Sequence, residues 1–140
     1  YIGGRRTGGM LHYNGKTITM AVTLPTGTHN AQPFRDGVLF NDSEANVVRY
    51  TGRGEGDEDR AIEVPIYGDE EMTHLWANDG EVARPHFARG LCQVTDSVVA
   101  GGSSPSTVSI YDLRENKRVV EVAISRDVRN AIHGLEIWPH

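Results

Sequence analysis

The sequence predicts an all-β protein built from a repeated sheet, and three observations support this fold class. Residues 36–50 (DGVLFNDSEANVVRY) and 96–111 (DSVVAGGSSPSTVSIY) share one plan: a turn, an apolar strand, a loop of polar or small residues and a second strand ending in Tyr. The two copies begin 60 residues apart, and self-similarity at a fixed spacing is typical of repeat architectures. Short strands between turn signals and Gly-rich loops make the repeat unit a β-sheet.

The two ends of the chain carry complementary parts of this plan. Residues 1–9 (YIGGRRTGG) align with residues 99–107 (VAGGSSPST), so the first copy lacks its opening strand. Residues 133–135 (HGL) repeat residues 89–91 (RGL), so an opening strand stands at the other end. This offset is the closure logic of a β-propeller, in which one blade combines strands from both chain ends.

Each strand has a local reason. The Asn14-Gly15 pair predicts a hairpin because both residues tolerate positive φ. Residues 38–40 and 98–100 are apolar at consecutive positions, which is typical of inner strands covered on both faces. Residues 62–66 alternate, as expected of an outer strand. The predicted strands are 10–13 and 17–24; 31–34, 38–41, 46–51 and 61–67; 88–94, 98–101, 107–112 and 118–125; and a last strand, 131–138.

These strands amount to three four-stranded antiparallel blades in a single domain, residues 1–140. A ring of three blades is too tight, because propellers have four or more. Either the chain is half of a larger propeller, or two copies form a homodimer with a six-bladed ring. Segment 68–85 is predicted as an irregular insertion, with one helical turn, whose apolar residues pack on the domain surface. Those residues are Met72, Leu75 and Trp76.

Composition excludes several function classes. The net charge of −5 and the absence of clustered Lys and Arg argue against a nucleic-acid partner. No run is long and apolar enough to span a membrane, and no signal segment is visible. The single Cys92 lies in an apolar run and is predicted to be a buried free thiol. These features favour a soluble, cytoplasmic protein without establishing its compartment.

Four stretches resemble blades of known propellers: GTHNAQPFRDGVLFND (27–42), FARGL (87–91), GGSSPSTVSIYDL (101–113) and HGLEIWP (133–139). They are similar to NHL-type and gluconolactonase-like propellers and to the C-terminal blades of uncharacterised bacterial propeller proteins. The resemblance implies the architecture. Several of these families hold a metal, or bind sugars or small molecules, in the central channel. The calcium ligands of the lactonase-type families have no assigned positions in this sequence.

Equivalent positions of different blades gather around the axis of a propeller, and here they are polar. The repeat aligns His29, Arg89 and His133 at the start of the innermost strand, with Asn30 beside the first of them. The loops between the second and third strands add Arg5, Arg6, Asn41, Asp42, Glu44, Ser103 and Ser104. We expect a site for a small polar, anionic or sugar-like ligand at the channel mouth. The alternative is that these residues only satisfy backbone groups and solvate the channel.

A divalent metal is a second alternative. His29, His133 and Asp42 would form a two-His, one-carboxylate set if they converged. Arg89 at the equivalent third position argues against a cation. A metal-assisted hydrolase or lyase is therefore the alternative function, and no other cofactor is predicted. The sequence contains no Gly-x-Ser-x-Gly elbow and no phosphate-binding loop ending in Lys-Ser or Lys-Thr. Arg49 and Arg53 are predicted to be solvated at outer-strand or loop positions.

Overall fold

The structure is a computed structural model that describes residues 8–52, 58–77 and 83–138. Within these ranges the chain forms ten strands in three antiparallel sheets. The other regular element there is one turn of 3-10 helix, Asp69–Glu71. The all-β class and the four-stranded antiparallel sheets are confirmed. No helix in the described part of the chain has the length and hydrophobicity needed to cross a membrane.

Neighbouring strands in each sheet are also neighbours in sequence. The first sheet contains β1 (Gly8–Tyr13) and β2 (Ile18–Leu24). The second contains β3 (Thr28–Phe34), β4 (Gly37–Asp42), β5 (Val47–Gly52) and β6 (Asp59–Glu63). The third contains β7 (Ala88–Gln93), β8 (Val98–Ser103), β9 (Thr107–Asp112) and β10 (Lys117–Ala123).

The hairpin of the first sheet forms at the predicted Asn-Gly pair. The Asn14 side-chain oxygen accepts hydrogen bonds from the backbone N–H groups of Lys16 (3.0 Å) and Thr17 (2.9 Å). Gly15 has a φ of +93°, a conformation that a residue without Cβ adopts freely. The side-chain hydrogen bonds and the glycine together explain why the chain turns back here.

The opening strands of the second and third sheets share an irregularity. The β3–β4 register shifts between His29 and Gln32, and the β7–β8 register shifts between Arg89 and Leu91. Asn30 (φ +55°) and Gly90 (φ +69°) occupy the two shifted positions in the left-handed region. Asn and Gly are the residues that tolerate this conformation best, so the repeat encodes the same β-bulge twice.

The sheets stack face to face, and the core lies between them. Leu39, Val48 and Tyr50 of the second sheet pack with Val99 and Tyr111 of the third. The other side of the second sheet packs on the first. Val38 and Phe40 of the second sheet are buried there against Leu24 of the first. Partly buried residues packed against them are Met10, Val22 and Ala31. β4 is therefore covered on both faces, as its consecutive apolar residues predicted.

The insertion packs on the domain only in part. Met72 is buried with Tyr67 and Val128, as predicted. Trp76, by contrast, is 73% exposed, so the expectation that it packs on the surface was wrong. The insertion is held at Thr73, which forms a β-bridge with Asp127 in the segment after β10. Beyond that bridge, His74 adopts a φ of +61°, and Ala77 packs against the cluster of Tyr67, Met72 and Val128.

The predicted last strand, 131–138, is wrong as a strand. The segment belongs to no sheet in the described part of the chain, although its start runs beside the third sheet. The backbone N–H of Ile132 donates to the Ser103 carbonyl oxygen at 3.5 Å. A strand needs a ladder of such bonds, and this segment has no sheet to join. The prediction for Cys92 is confirmed: it is a buried free cysteine.

Candidate functional site

The three aligned positions His29, Arg89 and His133 lie together in the structure. The Arg89 guanidinium stands over the Phe87 ring, 4.7 Å from its centroid. The His29 ring meets the same phenyl ring edge-on, with centroids 5.1 Å apart. On its other side Arg89 donates a hydrogen bond from Nη1 to His133 Nδ1 at 2.9 Å. The structure therefore brings together the three residues that the repeat alignment equates.

The bulges build this cluster by holding successive segments at one level. The Asn30 side-chain oxygen accepts a hydrogen bond from the Gly90 backbone N–H at 3.1 Å. Asn41 Nδ2 donates to that same oxygen and to the Gly90 carbonyl, each at 3.3 Å. Gly134 continues the series, because a Cβ on Gly90 would lie 3.3 Å from its Cα. Asn30, Gly90 and Gly134 are thus stacked on one another. The residues directly before them are the clustered side chains His29, Arg89 and His133.

The site carries an excess of positive charge. Arg84 also stands over Phe87, 5.5 Å from the ring centroid, and donates to the Ser43 carbonyl. None of the ion pairs among the described residues involves Arg84 or Arg89. Burial, and then the charge of Arg89, lowers the pKa of His29, so its imidazole is neutral at pH 7. A negatively charged group bound here would offset the positive charge of Arg89 and raise the pKa of His29.

One donor in the cluster is left without a partner. Arg89 Nε is buried and has no hydrogen-bond partner among the residues that the structure describes. An unsatisfied buried donor costs about 1–3 kcal/mol, so such groups are usually paired in the working state of a protein. Arg89 is thus the residue of the cluster with spare hydrogen-bonding capacity.

Asp42 belongs to a different group. One of its carboxylate oxygens accepts a hydrogen bond from the Ala45 backbone N–H at 3.1 Å, and the other lies 3.7 Å from Arg49. Arg49 also pairs with Asp59 at 3.7 Å, and its side chain is only 29% exposed. The expectation that Arg49 is solvated was wrong, because β5 lies inside the sheet with both partners in reach. Arg53, of which the same was expected, lies outside the residues that the structure describes.

Of the remaining loop candidates, the side chains of Ser104 and Glu44 form hydrogen bonds with other parts of the chain, whereas that of Ser103 has no partner among the described residues. Ser103 is buried, and its hydroxyl has no partner within the described ranges. Ser104 donates to the Ala83 carbonyl at 3.2 Å, and Glu44 accepts from the Thr26 hydroxyl at 3.1 Å. These contacts fit the alternative that loop polar groups satisfy the fold. Arg5 and Arg6 lie outside the described residues.

Sequence reasoning missed Phe87 and Arg84, which complete the cluster. Phe87 stands two residues before Arg89, whereas the corresponding residues before His29 and His133 are Gly27 and Ala131. The repeat alignment therefore contained no signal for an aromatic platform. Arg84 fell within the segment that was predicted to be an irregular insertion.

The described residues contain no group of three His, Cys, Asp or Glu side chains that could hold a metal ion. The comparisons with known proteins add no relative. No protein-family model, no curated protein and no solved structure matches the chain. The function must therefore be argued from the site itself.

Proposed function

We propose that the chain is a propeller-type binding module whose ligand is a small polar anion, such as a sugar acid, held by Arg89. The observation that carries the proposal is the convergence on one phenyl ring of two guanidinium groups that form no ion pair with any described residue. Arg84 and Arg89 lie 5.5 and 4.7 Å from the Phe87 centroid. His29 and His133 flank them.

The chemistry of these groups selects the ligand class. A guanidinium offers paired N–H donors that match a carboxylate or phosphate, and such charge-assisted bonds are about twice as strong as neutral ones. The unpartnered Arg89 Nε would gain an acceptor. The imidazoles add donors for hydroxyl groups, so a hydroxylated anion uses the cluster more fully than inorganic phosphate does.

The stacking of similar sheets supports the propeller part of the proposal. Both four-stranded sheets run in chain order from β3 to β6 and from β7 to β10, with the bulged strand first. In a propeller this first strand lines the axis, which is where the cluster would lie. A channel mouth lined by loops and strand starts is a usual place for ligands.

The metal-assisted hydrolase or lyase needs a different geometry from the one that supports binding. Its ligand set of His29, His133 and Asp42 would have to converge, whereas Asp42 is engaged by Arg49 at 3.7 Å. Arg89 contacts His133 directly and shares the Phe87 ring with His29. Its positive charge would repel a divalent ion bound by the two histidines. No observation on the described residues favours this alternative over binding.

The proposal is tested by titrating gluconate into the protein in a calorimeter, with glucose as the neutral control. Arg89→Ala should weaken gluconate binding by about 1.5–3 kcal/mol, the range for losing a hydrogen bond to a charged group, or roughly 10- to 150-fold. Arg35→Ala is a matched control, because Arg35 stands 5.5 Å over the Phe34 ring at a distant turn. Its affinity should equal that of the unaltered protein.

Two outcomes would count against an anion site. Equal affinity for glucose and gluconate would show that charge plays no part. Equal losses from Arg35→Ala and Arg89→Ala would show that the cluster does not hold the ligand. Arg49→Ala is unsuitable as a control, because it would leave Asp42 buried without its ion pair.

A further inference from the structure

The second and third sheets carry apolar residues at corresponding positions of one face, which is buried in the second sheet and only partly covered in the third. Strand register identifies the equivalent positions: Leu39 pairs with Tyr50 as Ala100 pairs with Ile110. Likewise Val48 pairs with Ile62 as Val108 pairs with Val122. In the second sheet these four side chains are buried in the core against the third sheet. The third sheet repeats the apolar pattern on the face that points away from the second.

Exposure shows that this outer face of the third sheet is open toward β10, whereas Ala100 on β8 is only 8% exposed. Ile62 is 6% exposed, whereas its equivalent Val122 is 56% exposed. Val120, beside Ile110 on the same face, is 52% exposed. A row of β-branched residues across β9 and β10 is typical of a sheet that packs against another sheet. Soluble proteins seldom leave such a contiguous surface in water.

The first sheet has an open apolar face at the opposite end of the stack. Met10 and Val22 point toward the second sheet. The alternate cross-strand pairs, Leu11 with Met20 and Tyr13 with Ile18, therefore point away from it. Tyr13, Ile18 and Met20 are between 58% and 66% exposed. The stack thus ends in two outer faces, one on the first sheet and one on the third.

Each of the two interfaces between the described sheets joins one face of a sheet to the opposite kind of face on the next sheet. The second sheet presents to the third the face that corresponds to the open face of the third. The first sheet presents to the second the side opposite to its own open face. A further interface of the same kind would place the outer face of the third sheet against the outer face of a first sheet.

The start of the next sheet is already in place. Ile132 lies against Gly102, where a Cβ would stand 2.3 Å from its Cγ2, and Gly134 lies beside Gly90. This repeats the way Gly90 lies beside Asn30 and Asn41. Segment 131–135 therefore follows the stacking path of an opening strand, continuing the established interface by one step.

We infer that a second copy of this chain covers the outer face of the third sheet with the outer face of its first sheet. Two copies joined twice in this manner form a closed, two-fold symmetric ring that leaves neither face open. The inference is independent of the proposed ligand, although the interface lies next to Arg89 and His133. The two faces specify which residues would form the contacts of this ring.

The mass in solution tests this inference. Sedimentation equilibrium of the 140-residue chain at micromolar concentration should give twice the chain mass. Val122→Lys on the third sheet and Met20→Lys on the first should each raise the dissociation constant by at least about tenfold, since each buries an unpaired charge at both interfaces. Trp76→Lys is the matched control: it removes an apolar residue that is 73% exposed on the insertion, and it should leave the constant unchanged.

The two face variants also separate the possible geometries. If both variants dissociate the dimer while circular dichroism shows retained strand structure, the pairing of unlike faces is supported. If Val122→Lys dissociates it and Met20→Lys does not, the third sheet pairs with itself and the inference is overturned. A chain of single mass at tens of micromolar would overturn it as well.

Discussion

The second and third sheets share one plan and differ in what surrounds them. Both have four antiparallel strands, and both carry a left-handed residue in the bulge of the opening strand, Asn30 or Gly90. The second sheet lies between two neighbours, whereas the third has one sheet neighbour in the described part of the chain. Equivalent apolar positions of the two sheets can therefore differ in burial, as Ile62 (6% exposed) and Val122 (56% exposed) do. The repeat gives each sheet apolar residues on both faces. A face stabilises the fold only where a neighbouring sheet buries it.

The largest expected effect comes from comparing Leu39, on the covered face of the second sheet, with Val122, on the corresponding face of the third sheet. Leu39→Ala should lower the free energy of unfolding by about 2–5 kcal/mol, because Leu39 is fully buried and its truncation leaves a cavity. Val122→Ala, on the open face, should change it by no more than about 0.5 kcal/mol in the separated chain. Urea unfolding at low protein concentration measures both. Comparable losses would mean that the third sheet is covered under those conditions.

The bulge provides the next comparison. Gly90→Ala should lower the free energy of unfolding by about 1–2 kcal/mol, because Ala at a φ of +69° is strained. Its Cβ would also lie 3.1 Å from Ile132 Cγ2. Gly134→Ala is the matched control, since a Cβ there meets nothing within 4 Å, and it should be neutral. Urea unfolding with equal losses for the two variants would show that the left-handed bulge is not the cause.

Much of the fold could be predicted because its determinants are local. Consecutive apolar residues identified β4 and β8, and the Asn14-Gly15 pair identified the first hairpin. Segment 131–138 failed as a strand because pairing depends on a neighbour, which its own residues do not specify. Its similarity to residues 89–91 predicted an opening strand but gave no partner for that strand.

The candidate site was predictable only as far as the repeat extends. Alignment brought His29, Arg89 and His133 together, because equivalent backbone positions are stacked by the fold. Phe87 and Arg84 have no equivalents in the other copies, so alignment could not find them. Asp42 was assigned to the site because it is polar and lies near a strand end. Its pairing with Arg49 depends on the register of β4 and β5, which sequence alone did not establish.

The smallest expected effect concerns the ion pair between Asp127 and Arg129, which follows the third sheet. Asp127 lies after β10, where its backbone bridges to Thr73 and its carboxylate binds Arg129, with Nη2 and Oδ2 at 2.7 Å. Hydrogen bonding from Arg129 lowers the pKa of Asp127 to about 2 from its ordinary 3.8, with a smaller contribution from His74. The folded chain therefore favours the ionised carboxylate. Asp127→Asn should be less stable than the unaltered protein at pH 7.

The pH dependence of that difference is the informative measurement. An unfolded chain binds more protons at Asp127 between about pH 4 and pH 2, so the stabilisation is complete above this window and is lost as the pH falls through it. Urea unfolding of the two proteins should therefore converge toward pH 2. In an Arg129→Ala background the pH dependence of the difference should largely disappear, because Arg129 is its main cause. A difference that stays constant from pH 7 to pH 2 would mean that Asp127 stabilises the exit of the third sheet through its shape and backbone contacts and not through its charge.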